Sequence, residues 1–333
     1  MGVFKAFAKG INSSIRVKKI ILFVFIVNLI FGLVLALPLY NTLQNSFGNS
    51  LVRNNMMKGF DYQWWSEFQF NNKGFVTSFN PSIIGIGAIL NNIQGLFYGY
   101  FFRPTFSPII VLAIIFMIIN SFFAGGLLEI YNSEENKYSM RQFFSGCGTY
   151  FFRFLRLMII SLILYAVFFI WVRGLLDSLH STITQNAKTE RFVVILRFIE
   201  DILMIFFICF INMIFDYAKI RTVVEKGKWM VIETVKSICF IFSHFFKVLG
   251  LYYLIVIMGV IFGVLYWVAH TQIVQNTLWM VLIMIVIQQI YIGIKIWIRF
   301  TFFGSEMAFF KGCLLYTSPS PRDLSTSRMP SSA

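Results

Sequence analysis

An all-α, polytopic membrane protein with six transmembrane helices is the fold this sequence predicts, and three observations carry it. Six apolar stretches of about 20 residues recur along the chain, each long enough at 1.5 Å per residue to cross a hydrocarbon core of roughly 30 Å. Hydrophobic residues make up 58% of the sequence and charged ones 13%, whereas soluble domains carry about 25% charged residues; mean hydropathy is +0.76. The apolar runs are continuous rather than alternating. That excludes a β-barrel, the only other architecture that satisfies its own backbone hydrogen bonds in lipid.

In chain order the spans are predicted at residues 20–40, 108–130, 154–175, 198–217, 248–269 and 277–298. The segments between them alternate in charge. Counted with the flanks, eighteen Lys and Arg fall on the side that holds the N-terminus, residues 219–247 and the end of the last span, and eight fall on the other. The positive-inside rule then places both the N-terminus and residue 312 in the cytoplasm. The formal net charge of +14 is therefore read as an orientation signal and an attraction for anionic lipid headgroups, not as a nucleic-acid footprint. The first span is too long for a signal-peptide core and lacks a small-residue cleavage site, so it also targets the chain. Cys147, Cys209 and Cys239 form neither a disulfide framework nor a CxxC metal pattern.

Residues 1–19 form a cytoplasmic lead-in, and 20–312 the six-span domain. Three lead-ins share one spacing: Phe7, Arg16 and Lys19 before span one, Phe144, Arg153 and Arg156 before span three, Val235, His244 and Lys247 before span five. Each has intervals of nine and three residues. The simplest architecture is three helical hairpins, each entered through a short amphipathic interfacial helix.

The largest outer segment, 41–107, is rich in Asn and aromatics, and Tyr62, Trp64, Trp65, Phe68 and Phe70 suit the interfacial belt. Within it, 82–102 is free of charge but carries Asn91, Asn92 and Gln94 among Gly85, Gly87, Gly95 and Gly99. A seventh crossing there would put the most basic loop outside. The segment is therefore either re-entrant, as selectivity elements are, or an interfacial helix. Residues 313–333 depart abruptly from all that precedes them. They match the translation of a transposase-end sequencing adapter, so they are expected to be an artefact and disordered, with natural protein missing beyond residue 312.

Candidate functional residues are few. Asn28, Asn120 and Asn212 lie in the inner halves of spans one, two and four and either line a polar path or bond between helices. Glu129 follows Gly125-Gly126 at the inner end of span two, and Asp216 closes span four, with Lys219 placed to pair with it at i+3. Glu200-Asp201 open span four, where the helix dipole favours anions. Asn91, Asn92 and Gln94 complete the polar set. No HExxH, GxSxG or P-loop occurs and the three His are scattered, so no cofactor, metal or intrinsic catalysis is expected.

The stretches Phe215-Asp216-Tyr217-Ala218-Lys219-Ile220-Arg221 and Gly125-Gly126-Leu127-Leu128 resemble bacterial multi-span membrane domains that accompany glycerophosphodiester phosphodiesterases, and their uncharacterised relatives. The resemblance covers spans two to six. It implies a membrane module without transferable catalytic residues, any phosphodiester chemistry lying in a further C-terminal domain. The functional expectation is an inner-membrane anchor, scaffold or regulatory subunit acting on a protein partner or that missing domain, in a low-GC bacterium by its wealth of Ile, Phe, Lys and Asn. The alternative is a transporter of lipid or small solutes, or a channel-like subunit.

Overall fold

The computed structural model describes residues 1–48, 61–73, 76, 107–133, 138–185, 187, 189–273 and 277–317, and among these no strand forms. The helices are α1 (Val3–Arg16), α2 (Lys18–Phe47), α3 (Tyr62–Asn71), α4 (Ser107–Asn132), α5 (Met140–Val167), α6 (Arg173–Thr184), α7 (Glu190–Val224), α8 (Met230–Ser243), α9 (Phe245–Gln272) and α10 (Leu278–Thr317). A π-helical turn, Phe168–Val172, joins α5 to α6. Among the described residues, five helical stretches are long and apolar enough to cross a membrane: Lys18–Phe47, Ile110–Asn132, Met140–Thr184, Phe245–Gln272 and Leu278–Leu314. The chain is a multi-pass helical membrane protein. The predicted fourth span falls inside α7, whose apolar run is bracketed by Glu200-Asp201 and by Asp216 and Lys219. The segment 82–102 lies outside the described residues. Helix α10 continues to Thr317, five residues into the adapter-like segment.

The chain divides into two compact units. The first comprises residues 1–16, 121–255 and 300–333, the second 17–120 and 256–299.

In the first unit, three helix pairs form where an even-numbered predicted span meets a lead-in. The last turns of α4 pack on the start of α5. A Cβ on Gly125 would lie 3.2 Å from the Gly146 carbonyl oxygen, and one on Gly126 would press on Phe143 and Cys147. The end of α7 packs on α8, where Tyr217 meets Phe240 and Arg221 meets Glu233. The end of α10 packs on α1. Here Ala6, Gly10 and Ser14 are the buried face of α1. A Cβ on Gly10 would collide with Ser305, and one on Gly304 would sit 3.1 Å from the Gly10 carbonyl oxygen. The Thr301 hydroxyl donates to Ser14 Oγ at 3.0 Å. Spacing of small residues by four brings the helix backbones together, which is how helices gain contact where lipid offers no hydrophobic drive. The pairs also touch one another. Phe240 of α8 packs edge-on against Phe310 of α10 at 5.0 Å, the Lys311 ammonium donates to the Asn132 carbonyl at 2.7 Å, and α5 contacts α7 and α8.

Two of the three expected lead-ins are separate helices, broken at Val17 (φ −92°, ψ 25°) and at His244 (φ −126°, ψ 28°). The break residues keep their carbonyls bonded, Val17 to the amide of Ile20 and His244 to that of Lys247. The third expectation needs correction: residues 140–167 run unbroken through Arg153, so that lead-in and its span are one helix. The lead-in of α1 also differs from a purely interfacial helix, since its small-residue face is covered by α10 rather than by lipid.

In the second unit, α3 is N-capped by Asp61, whose carboxylate accepts from the amides of Gln63 and Trp64. Trp64 and Phe68 are buried with Val76 against Leu39, Leu43 and Phe47, and Trp64 stacks on Phe47 at 4.5 Å. These two aromatics are therefore core residues, not members of an interfacial belt, because α3 folds its aromatic face back onto the end of α2. Tyr62 and Phe70 remain exposed. Tyr266 and Tyr291 stack at 4.6 Å between α9 and α10.

The α4–α5 crossing yields a prediction. Gly126→Leu has no room beside Phe143 and Cys147 and should destabilise by about 1–3 kcal/mol, the usual cost of overpacking. Gly148→Ala meets nothing within 4 Å and should stabilise by up to about 1 kcal/mol, the helix-propensity gain of Ala over Gly. Thermal unfolding of the two variants in detergent checks the contrast; equal midpoints would refute the close crossing.

Candidate functional site

Asp216 is the centre of the polar groups in the first unit. It is fully buried on the face that α7 turns toward its neighbours. One turn earlier, the Asn212 amide donates to Asp216 Oδ2 at 3.5 Å and to the Tyr252 hydroxyl oxygen at 3.1 Å. One turn later, the Lys219 ammonium lies 3.4 Å from Asp216 Oδ1 and 5.8 Å from the ring centroid of Phe303. Helical spacing of i−4 and i+3 places all three side chains on one stripe. Glu306 of α10 is buried within electrostatic reach of Tyr217 and Tyr252.

The other two pairs carry carboxylates of their own. Glu129 Oε2 accepts from the Tyr150 hydroxyl at 3.1 Å across the α4–α5 crossing. Arg221 donates to Glu233 at 3.1 Å and to Glu225 at 2.8 Å, and Lys236 lies 3.6 Å from Glu233. Between α7 and α8 the chain reverses through Lys226 in the left-handed region (φ 54°), and Gly227 sits so close to the Glu233 carboxylate that a Cβ there would collide with it. These side chains neutralise and hold helix ends. Asp216, Glu129 and Glu233 are each held by a cation, amide or hydroxyl.

Glu200 does not sit at a helix N-terminus as the sequence reading had it. Helix α7 begins ten residues earlier, at Glu190, beyond reach of the dipole of the first turn. Glu200 is instead bonded by His180 at 2.9 Å and Arg197 at 3.1 Å, and Arg197 also holds Asp177 at 2.9 Å.

The second unit holds the other polar constellation. Asn28 of α2, Asn120 of α4 and the basic pair Lys295 and Arg299 of α10 line one cavity of about 540 Å³. The remaining wall is apolar, including Phe31, Leu35, Leu112, Phe116, Ile292 and Ile296, with Gly32 among them. The Asn120 amide donates back to the Phe116 carbonyl at 2.8 Å, and the Lys295 ammonium stands 5.9 Å from the Tyr291 ring centroid. The three span asparagines are thus not one cluster: Asn28 and Asn120 share a cavity, while Asn212 belongs to the Asp216 network of the other unit. Asn91, Asn92 and Gln94 lie outside the described residues.

Several residues of these sites were not singled out by the sequence. Lys295 and Arg299 counted only toward orientation, although their i, i+4 spacing with Ile292 and Ile296 puts them on one helix face. Glu306 and Tyr252 stand in apolar context with no motif around them. Nothing local marks them as members of a network.

No family model, curated protein or solved structure matches the chain.

The Asp216–Lys219 pair generates the second prediction. Asp216→Leu leaves the Lys219 ammonium, 17% exposed, without its carboxylate, and removing one member of a buried pair costs about 3–5 kcal/mol. The double variant Asp216→Leu/Lys219→Leu should recover most of that loss in detergent unfolding. A double variant no more stable than the single one would show that the carboxylate serves something other than the lysine.

Proposed function

We propose that this chain is a membrane-embedded interaction module, an anchor, scaffold or regulatory subunit, without catalysis of its own. It crosses the cytoplasmic membrane six times, the fourth time through α7, with the N-terminus and residue 312 in the cytoplasm. The observation that carries this reading is the use made of three acids, Asp216 and Glu233, which are buried, and Glu129, which is half-buried. Each is tied to a neighbour at the junction of a span and a lead-in, so these three side chains are spent on fixing helix ends. A rigid cytoplasmic framework of this kind suits a surface on which another protein, or a domain beyond residue 312, is held.

A second reading has its own observation. Asn28 and Asn120 line a common cavity with two basic residues, as a lipid or solute pathway would require.

Flux separates the two. The purified chain is reconstituted in vesicles carrying trapped anionic dye and a fluorescent phospholipid in one leaflet. The module reading expects dye and lipid to cross at the protein-free rate. The transport reading expects at least about a tenfold faster rate, lost in Asn28→Leu/Asn120→Leu. Orientation is checked separately: Lys228→Cys should react with an impermeant maleimide only after cell lysis, and labelling of intact cells would invert the topology.

A further inference from the structure

We propose that the cavity between α2, α4 and α10 binds one phospholipid with an anionic headgroup, taken from the cytoplasmic leaflet. This goes beyond the module reading and holds whether or not the chain moves lipid; the choice of leaflet and the gathering of the polar residues at one end rest on the proposed topology.

The cavity is amphiphilic along its length. Phe31 and Phe116 pack edge to face at 5.7 Å, which fixes where α2 and α4 meet. With neighbouring spans antiparallel, Asn28, three residues before Phe31, and Asn120, four after Phe116, come to the same level. Arg299 and Lys295 belong to the cytoplasmic end of α10 in that orientation, so all four polar residues gather at one end. The other end is hydrocarbon: from Asn28 to Leu35, and from Arg299 to Ile292, the wall runs about 10 Å at 1.5 Å per residue. A volume of about 540 Å³ suits a headgroup with the first part of an acyl chain, within the roughly 300–1,000 Å³ of ligand sites.

Charge selects the occupant. Two cations one helical turn apart match a phosphodiester oxygen pair, and among the described residues that line the cavity none is acidic. The asparagine carbonyls and amides suit the glycerol hydroxyls and ester oxygens of the same molecule. A zwitterionic lipid brings its own ammonium against Lys295 and Arg299 and is disfavoured. Gly32 marks the space itself, since a Cβ there meets nothing within 4 Å.

The test is lipid titration of the detergent-solubilised full chain, read as adducts by native mass spectrometry. Phosphatidylglycerol should bind once, and roughly tenfold more tightly than phosphatidylcholine, given a several-fold gain per basic residue. Lys295→Gln/Arg299→Gln should abolish the preference. Gly32→Leu should abolish binding with the charge unchanged and the thermal midpoint preserved, which keeps the test decisive if the charge variant fails to fold. Lys228→Gln/Arg141→Gln, an equal charge loss elsewhere, should leave binding intact. Equal binding of the two lipids, or a preference that survives Gly32→Leu, overturns the proposal. So does glycerol 3-phosphate binding as tightly as the lipid, which would assign the site to a soluble phosphate.

Discussion

The architecture of the first unit depends on how closely small residues let helix backbones approach. Between helices in lipid, dispersion and hydrogen bonds must supply the attraction that water supplies elsewhere. Gly126 and Gly146 provide the approach for α4 on α5, and Gly10 with Gly304 and Ser305 provide it for α10 on α1. The α7–α8 pair lacks a glycine crossing. It uses Ala218, Thr222, Thr234 and Ser237, all buried, and adds the Arg221–Glu233 bond. Here small side chains and a charge pair act together, without a glycine at the crossing.

That division explains why acids lie where they do. A carboxylate near a membrane helix end is favoured where a cation, amide or hydroxyl is held against it, and the close crossings hold such partners against Glu129 and Glu233. Glu129 reaches Tyr150 because Gly126 and Gly146 bring α4 and α5 together; a bulkier pair would move the acid out of reach. Asp216 is different, since its lysine and asparagine come from its own helix. Its network is prepared by the i−4, i, i+3 spacing of α7 before any packing occurs.

This difference also separates what the sequence made legible from what it did not. Apolar length and charge bias were enough for an all-helical multi-pass fold, because both are local and cumulative. The Asp216–Lys219 pair was readable for the same reason. The lead-ins were visible as spacing, yet nothing in Phe144–Arg156 told that this one would continue without a break while those ending at Val17 and His244 would not. Trp64 and Phe68 were misread because their burial depends on α3 returning to α2, a contact between residues far apart in sequence. The shared cavity of Asn28 and Asn120, and the exclusion of Asn212 from it, depended on tertiary placement that equal depth in the membrane does not specify.

The pairing of α1 with α10 sets an order on assembly. Helices α4 with α5, and α7 with α8, are joined by short connections and can close as soon as both members exist, since short loops cost little entropy to close. The face of α1 made of Ala6, Gly10 and Ser14 has no such neighbour. Its complement, Thr301 to Ala308, is synthesised after α2 to α9. Before that contact forms, the pattern of α1 suits a membrane surface, with Lys5, Lys9 and Arg16 on one side toward headgroups and Phe4 and Ile15 toward the apolar boundary. The amphipathic pattern of α1 is thus explained twice over: the charged side serves the waiting state, and the small-residue side serves the finished one. Docking of α1 is then the step that joins the earliest and latest described helices of the first unit, and it is fixed by a hydroxyl pair, Ser14 and Thr301, that forms only when the backbones meet at Gly10 and Gly304.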